Sequence, residues 1–172
     1  MATFVDYDAD HEETLRTLWT AYLEEGAIPL REVGYEMDVP AVVAADLANI
    51  AQFRPPDGHL LLAVDEGEPV GCGAVRVIAP GVAEVKRMYL RPEARGRGIG
   101  RALLQELLDT ARHYGCREAR LDTGWFMTDA HRLYRSAGFE ECAPYDGSEV
   151  PADFDPRWKY MRLDLTPVMP IR

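Results

Sequence analysis

Ten residues, "RGRGIGRALL" from Arg95 to Leu104, constrain the fold of this chain more than any other stretch. Three glycines stand immediately before an amphipathic helical pattern. Glycine costs about 1 kcal/mol relative to alanine inside a helix, so these glycines favour a loop that leads into the helix. Such a loop either forms a tight turn or brings bare N–H groups and the helix dipole to an anion. The glycines alone favour neither alternative.

The charge around this stretch favours the anion site. Between Lys86 and Arg101 six basic residues stand against one acid, although the whole chain has 19 basic and 29 acidic residues and a net charge of -10. One short basic segment in an acidic chain suits a small, highly charged anion and argues against nucleic acid as a partner. Backbone N–H groups combined with arginines suit a pyrophosphate.

Two common nucleotide motifs do not fit the stretch. A P-loop ends in Gly-Lys-Ser or Gly-Lys-Thr, but Gly100 is followed by Arg101. A dinucleotide fingerprint requires a third glycine three residues after the second, and that position is Leu103. ATP and NAD are therefore poor candidates for the bound anion.

Length and composition predict one globular domain over residues 1–172. The chain is 47% hydrophobic and 28% charged, which is typical of such a domain. It has no apolar run long enough for a membrane span, and its N-terminus lacks a signal-peptide pattern, so we expect a cytoplasmic protein away from membranes. The three cysteines lack metal-ligand spacing, and we expect no metal site.

Hydrophobic periodicity predicts antiparallel strands first and alternating strands and helices later. Strands are predicted at residues 3–7, 59–64, 70–78, 82–90, 117–123, 139–143 and 158–165. Helices are predicted at residues 10–26, 40–53, 99–114 and 128–137. The expected fold class is α+β (mixed α/β), with a central mixed, mostly antiparallel sheet of about seven strands flanked by about four helices.

Two motifs, in this order, resemble the GNAT superfamily of N-acyltransferases. The first is Arg-x-x-Gly-x-Gly (Arg95, Gly98, Gly100), which follows a strand and precedes a helix like that family's acyl-CoA-binding motif. The second, "AHRLYRSAGF" at residues 130–139, is similar to the family's Ala-x-x-Leu-Tyr-x-x-x-Gly-Phe segment. The resemblance covers most of the chain and implies a GNAT-like fold and an N-acetyltransferase that uses acetyl-CoA.

The resemblance also implies which residues hold acetyl-CoA. They are Met88, Tyr89, Leu90, Arg95, Gly96, Arg97, Gly98, Ile99, Gly100, Arg101, Asp129 and Tyr134. The backbone of "KRMYL" would pair with the pantetheine arm, and the Met88 amide would polarise the thioester carbonyl. Many members have asparagine where this chain has Met127, so one contact is lost or is replaced by Asp129 or Arg132.

Acyl transfer to an amine requires two proton movements, and the resemblance implies one residue for each. Glu84, four residues before Met88, corresponds to a glutamate that deprotonates the amine in some members, a role that a pKa raised by burial would support. Its alternative is an ion pair with Lys86 or an arginine. Tyr134 corresponds to the tyrosine that protonates the leaving thiolate, since a phenol is neutral at pH 7. Its alternative is a tyrosine of the core.

The acceptor amine is not identified by the sequence. Asp122 ends a strand and would attract a cationic amine, or it serves as a turn or helix-cap carboxylate. Trp125 would line the acceptor pocket, or it belongs to the core. The favoured function is transfer of an acetyl group to an amine of a small molecule or peptide. The alternatives are acetyl transfer to a protein lysine or N-terminus, and a non-catalytic module that binds acyl-CoA. The resemblance allows a homodimer without fixing the oligomeric state.

Overall fold

A seven-stranded sheet forms the centre of the computed structural model, which describes residues 1–166. Its strands are β1 (Thr3–Asp6), β2 (Gly58–Asp65), β3 (Glu68–Ala79), β4 (Val82–Leu90), β5 (Glu118–Thr123), β6 (Glu140–Cys142) and β7 (Lys159–Asp164). They lie in the order β1-β2-β3-β4-β5-β7-β6, and every neighbouring pair is antiparallel except β4 and β5. The predicted mixed, mostly antiparallel sheet is confirmed.

Four α-helices flank the sheet within the described residues. They are α1 (Glu12–Glu32), α2 (Val39–Ala48), α3 (Ile99–His113) and α4 (Thr128–Ser136). The prediction that α1 ends near Gly26 is wrong, because the burial of Ala27 and Leu30 favours further helix. The predicted end of α2 at Phe53 is wrong as well. The helix ends at Ala48, and Phe53 is buried in a separate 3-10 turn, Ile50–Phe53.

Each face of the sheet carries its own hydrophobic core. Neighbouring residues of β3 show this, because Ala74 packs with residues of α1 and α2, whereas Val75 packs with residues of α3 and α4. The apolar stripe predicted for α3 is buried at all four positions, which are Ile99, Leu103, Leu107 and Ala111. The two cores hold the helices on opposite faces of the sheet.

The parallel pair, β4 and β5, separates after three residue pairs. The last pair joins Glu84 to Arg120, yet β4 continues to Leu90 and β5 to Thr123. Within β4, Arg87 has a left-handed φ of 54°, and the register with β3 is irregular at this point. A bulge of this kind bends the strand that carries it. The bend is a physical reason for the separation of the two strands, and we call the region between them beyond Glu84 the cleft.

No helix within residues 1–166 is long and apolar enough to cross a membrane. In the same part of the chain, no three His, Cys, Asp or Glu side chains are arranged to hold a metal ion. The cysteines are free thiols, and Cys72 and Cys116 are buried in the two cores, where they pack as small apolar side chains.

Candidate active site

The glycine loop leads from the end of β4 into α3, as its sequence predicts. Gly96 and Gly98 have left-handed φ angles of 73° and 82°, and Gly98 is the N-cap of α3. A Cβ atom at either position would meet no atom within 4 Å, so the outer side of the loop is open. In the described part of the chain, the amides of residues 96–101 donate to no protein acceptor. Together with the helix dipole, these amides form a cradle that suits phosphate.

Gly100 differs from Gly96 and Gly98 in its surroundings. It lies in the first turn of α3, and a Cβ atom there would lie 3.4 Å from Leu90 Cδ1 and 3.5 Å from Leu133 Cδ2. These are ordinary contact distances, so a side chain of one carbon fits at Gly100, between α3 and its neighbours β4 and α4.

The arginines of the loop have protein partners. Arg95 donates to both carboxylate oxygens of Glu25, at 3.0 and 2.7 Å, and Arg97 lies 2.7 Å from Asp65 Oδ2. Arg101 donates to the Ser136 hydroxyl at 3.0 Å. Because two of the three arginines are paired with acids, the local positive charge is smaller than the sequence suggests. The backbone amides are the donors that remain free to face a ligand.

The predicted pantetheine strand lies along the cleft, with its side chains turned to the two cores. Tyr89 is buried on the α1 face, and its hydroxyl donates to Glu25 Oε1 at 3.0 Å. Burial and this carboxylate raise the pKa of Tyr89 to about 12. Met88 packs against the opposite core. The backbone of this segment is therefore the part that can pair with a pantetheine arm.

At the start of α4, Met127 occupies the N-cap position without a capping side-chain bond. The Thr123 hydroxyl donates to its sulfur at 3.6 Å. The Asp129 carboxylate accepts from Arg132 at 2.8 Å, and both side chains are exposed. Contacts of Asp129 or Arg132 to a cofactor stay predictions.

Tyr134 lies on α4 and is 7% exposed, with its ring 5.8 Å from that of Phe139. Burial raises its pKa, and the nearby groups Tyr22 and Asp122 raise it further. The phenol is therefore protonated throughout the neutral range. This protonation state suits a proton donor, while the packing also makes Tyr134 part of the core.

Glu84 is fully buried at the point where β4 leaves β5. Its Oε2 lies 2.7 Å from Arg76 Nη2, and its Oε1 accepts from the Tyr145 hydroxyl at 3.0 Å. Burial raises the pKa of Glu84, and the charges of Lys86 and Arg76 offset part of that effect. The sequence predicted either an ion pair or a base with a raised pKa for Glu84. In the structure Glu84 has both an ion pair and a raised pKa.

Asp122 is enclosed by the loop between β6 and β7, residues 143–158. Its carboxylate accepts from Trp158 Nε1 at 3.1 Å and from the Ser148 hydroxyl at 3.2 Å, and it lies 3.6 Å from Lys86 Nζ. Asp122 therefore ties this loop to β5. A contact between Asp122 and an acceptor amine stays a prediction.

Trp125 is half-buried beside the same loop. Its ring packs edge-on against Trp158 at 6.3 Å, and the Arg157 guanidinium lies 3.9 Å from its centre. These side chains line a cavity of about 330 Å³ together with Lys159 and Tyr160. Trp125 and Asp122 thus contact the same tryptophan from two sides.

Sequence reasoning missed the residues of this loop that reach the cleft, and it missed Arg76. Tyr145, Ser148 and Glu149 contact charged groups of β4 and β5. A signal was present, because a long loop rich in aromatic and acidic residues between two short strands is a common location for function.

The separated parallel strands beside a glycine loop at a helix start define an acyltransferase of the GNAT type. Residues 12–139 match the Acetyltransferase (GNAT) family, and the chain belongs to this family. It is an N-acetyltransferase of GNAT type.

Named relatives agree with this class. An uncharacterized N-acetyltransferase of Schizosaccharomyces pombe is 36% identical over 140 residues, which cover 80% of this chain and 82% of the relative. An IAA acetyltransferase of Azospirillum brasilense is 41% identical over 100 residues, covering 58% of this chain and 65% of the relative. The crystal structure of PaiA N-acetyltransferase from Thermoplasma acidophilum in complex with coenzyme A has a TM-score of 0.75 at 19% identity, covering 95% of this chain and 99% of that one. At that identity the likeness shows the fold.

Proposed function

We propose that this protein transfers the acetyl group of acetyl-CoA to a primary amine of a small molecule or peptide. The observation that carries the proposal is the separation of β4 from β5 beside a glycine loop with free amides. Glu84 and Tyr134 are the two groups that we propose for proton transfer. Asp122 raises the pKa of both Glu84 and Tyr134. The charge of Asp122 therefore acts on both of these groups.

The residues present fit acetyl-CoA. The free amides of residues 96–101 suit its pyrophosphate, and the edge of β4 beyond Glu84 has no strand partner on the β5 side, so it can pair with the amide groups of pantetheine. The likeness to a structure in complex with coenzyme A supports the same ligand. When bound, acetyl-CoA supplies the acetyl group as a thioester.

Glu84 takes a proton from the acceptor ammonium, directly or through water, which frees the nitrogen lone pair. Its raised pKa makes it a stronger base than an ordinary glutamate. As the nitrogen–carbon bond forms and the carbon–sulfur bond breaks, Tyr134 gives its phenolic proton to the sulfur. The nitrogen loses a second proton, Tyr134 regains one, and one proton leaves to solvent overall. The Met88 amide is the proposed donor to the carbonyl oxygen.

Glu84 and Tyr134 also favour catalysis over the alternative of a non-catalytic acyl-CoA-binding module, because mere binding requires neither group. The acetyltransferase relatives support the same choice.

The test is CoA release over a panel of amino acids, polyamines, aminoglycosides and peptides, combined with calorimetric titration of CoA. We expect turnover with at least one amine, and a decrease in kcat of about 100-fold in Tyr134→Phe with a much smaller change in CoA affinity. Tyr114→Phe is the matched control, because it removes a phenolic hydroxyl that donates to Gly58 O and has no role in the proposal. Full activity of Tyr134→Phe, or a wild-type protein that does not bind CoA, would contradict the proposal.

A further inference from the structure

Three cations, Arg76, Lys86 and Arg87, lie together where β4 leaves β5, and we call them the cation cluster. Their side chains are only 16%, 6% and 11% exposed. Each has a carboxylate partner on a strand or helix: Glu84 for Arg76 at 2.7 Å, Asp46 for Arg87 at 2.8 Å, and Asp122 near Lys86 at 3.6 Å. The cluster is therefore neutral before any other group joins it.

A fourth carboxylate, that of Glu149, reaches all three cations. Its Oε2 lies 3.1 Å from both Lys86 Nζ and Arg87 Nη2, and its Oε1 lies 3.7 Å from Arg76 Nη1. Burial acts to raise the pKa of Glu149, but Lys86 and Arg87 outweigh it and lower the pKa. The group is thus an ionised carboxylate bound by three cations.

Glu149 differs from the other three acids in where it comes from. It lies in the loop between β6 and β7, and its side chain is 36% exposed, so it covers the solvent side of the cluster. The cations themselves stand on β3 and β4. Strand pairing fixes Arg76 and Lys86, and Arg87 lies at the bulge of β4. The three cations are already neutralised by three other carboxylates, so the cluster does not depend on Glu149. The carboxylate of a small molecule can therefore replace Glu149 on the cations while the Glu149 side chain moves into solvent.

We propose that the cation cluster binds the carboxylate of an amino-acid acceptor, and that Glu149 occupies this position in the free protein. This inference rests on the proposed function and specifies its acceptor class. Lys86 and Glu84 are two residues apart on β4, about 7 Å along the strand. Arg76 joins them, because it lies 2.7 Å from Glu84 and 3.7 Å from the Glu149 carboxylate that Lys86 also contacts. A carboxylate on Lys86 and Arg87 therefore leaves the ammonium of the same molecule near Glu84.

The experiment compares each of the twenty amino acids with its primary carboxamide, which removes the negative charge and keeps the shape. It measures kcat/KM for CoA release and, by calorimetry, binding to the CoA-loaded protein. We expect the preferred acid to exceed its amide by about ten-fold or more in both readouts, as a charge-assisted contact predicts. Glu149→Gln removes the competing carboxylate and tightens binding of the acid roughly three-fold. Lys86→Gln abolishes the preference for the acid.

Asp146→Asn is the matched control, because it removes one charge from an exposed position of the same loop, and we expect unchanged binding. Amides that perform as well as acids, or an acid preference that survives Lys86→Gln, overturn the inference and leave the proposed function intact. Acids that bind more tightly than amides without any turnover support the carboxylate site and contradict the proposed function. Failure of both acids and amides to bind overturns the inference.

Discussion

The hydroxyl of Tyr145 donates to Glu84 Oε1 at 3.0 Å, so Tyr145→Phe removes one donor from the proposed base. The bond favours the ionised carboxylate, and its loss raises the pKa of Glu84 above the wild-type value. A hydrogen bond to a charged group contributes about 1.5–3 kcal/mol, and one pKa unit corresponds to about 1.4 kcal/mol. We therefore expect an increase of about one to two units.

The assay is kcat/KM for CoA release as a function of pH. Activity requires the ionised form of Glu84, so the rate rises as pH passes through the pKa of this group. In Tyr145→Phe the same rise occurs at a pH about one to two units higher. The raised pKa of Tyr134 keeps this proton donor protonated over the whole range, so the substitution does not alter the alkaline side.

Tyr160→Phe is the control for the loss of a hydroxyl. Its ring lies 5.8 Å from that of Tyr145, but its hydroxyl donates to the carbonyl oxygens of Val150 and Pro151. We expect an unchanged pH profile in this variant. If the acidic limb of Tyr145→Phe coincides with that of the wild type, ionisation of Glu84 does not control the rate.

Asp122→Asn removes a negative charge that raises the pKa of Glu84, so the acidic limb of the same pH profile should move to lower pH, opposite to the effect of Tyr145→Phe. Gly98→Ala places a side chain at a left-handed φ, which should lower the free energy of unfolding by about 1–2 kcal/mol and weaken CoA binding in calorimetry. Gly100→Ala, at an ordinary helical position, should change the unfolding free energy by less than Gly98→Ala does, as urea titration would show. Leu103→Ala opens a cavity at a fully buried position and should lower the unfolding free energy by about 2–5 kcal/mol in urea titration, while a loss below about 1 kcal/mol would mean that the site repacks.

The parts of the fold that the sequence predicts well depend on neighbours in the chain. Periodicity over one short segment predicts the buried face of α3, and the backbone preference of glycine predicts the loop before it. The length of α1 does not, because what prolongs it past Gly26 is the burial of Ala27 and Leu30 against other elements. Local glycine signals indicate a helix end, and tertiary packing overrides them here.

The same distinction holds for the candidate site. The glycine loop and the helix start that follows it belong to one short segment, so the sequence of that segment suffices to predict its conformation. The partners of its arginines are not local, since Arg95 contacts Glu25 and Arg97 contacts Asp65. The contact of Glu149 with Arg76 joins residues that are far apart in the chain. No periodicity encodes such a pair, and only the folded arrangement of β6 and β7 brings it together.

The strand order at this end of the sheet has a consequence for how the protein can diversify. β6 and β7 pair with each other, so the loop of residues 143–158 returns to the sheet beside the point where it left. Insertions in such a loop need not change the strand pairing of β4. The loop reaches the proposed acceptor site through Tyr145 and Glu149. We therefore expect that replacing the loop with that of a relative alters the selectivity for the acceptor amine and leaves the calorimetric affinity for CoA unchanged.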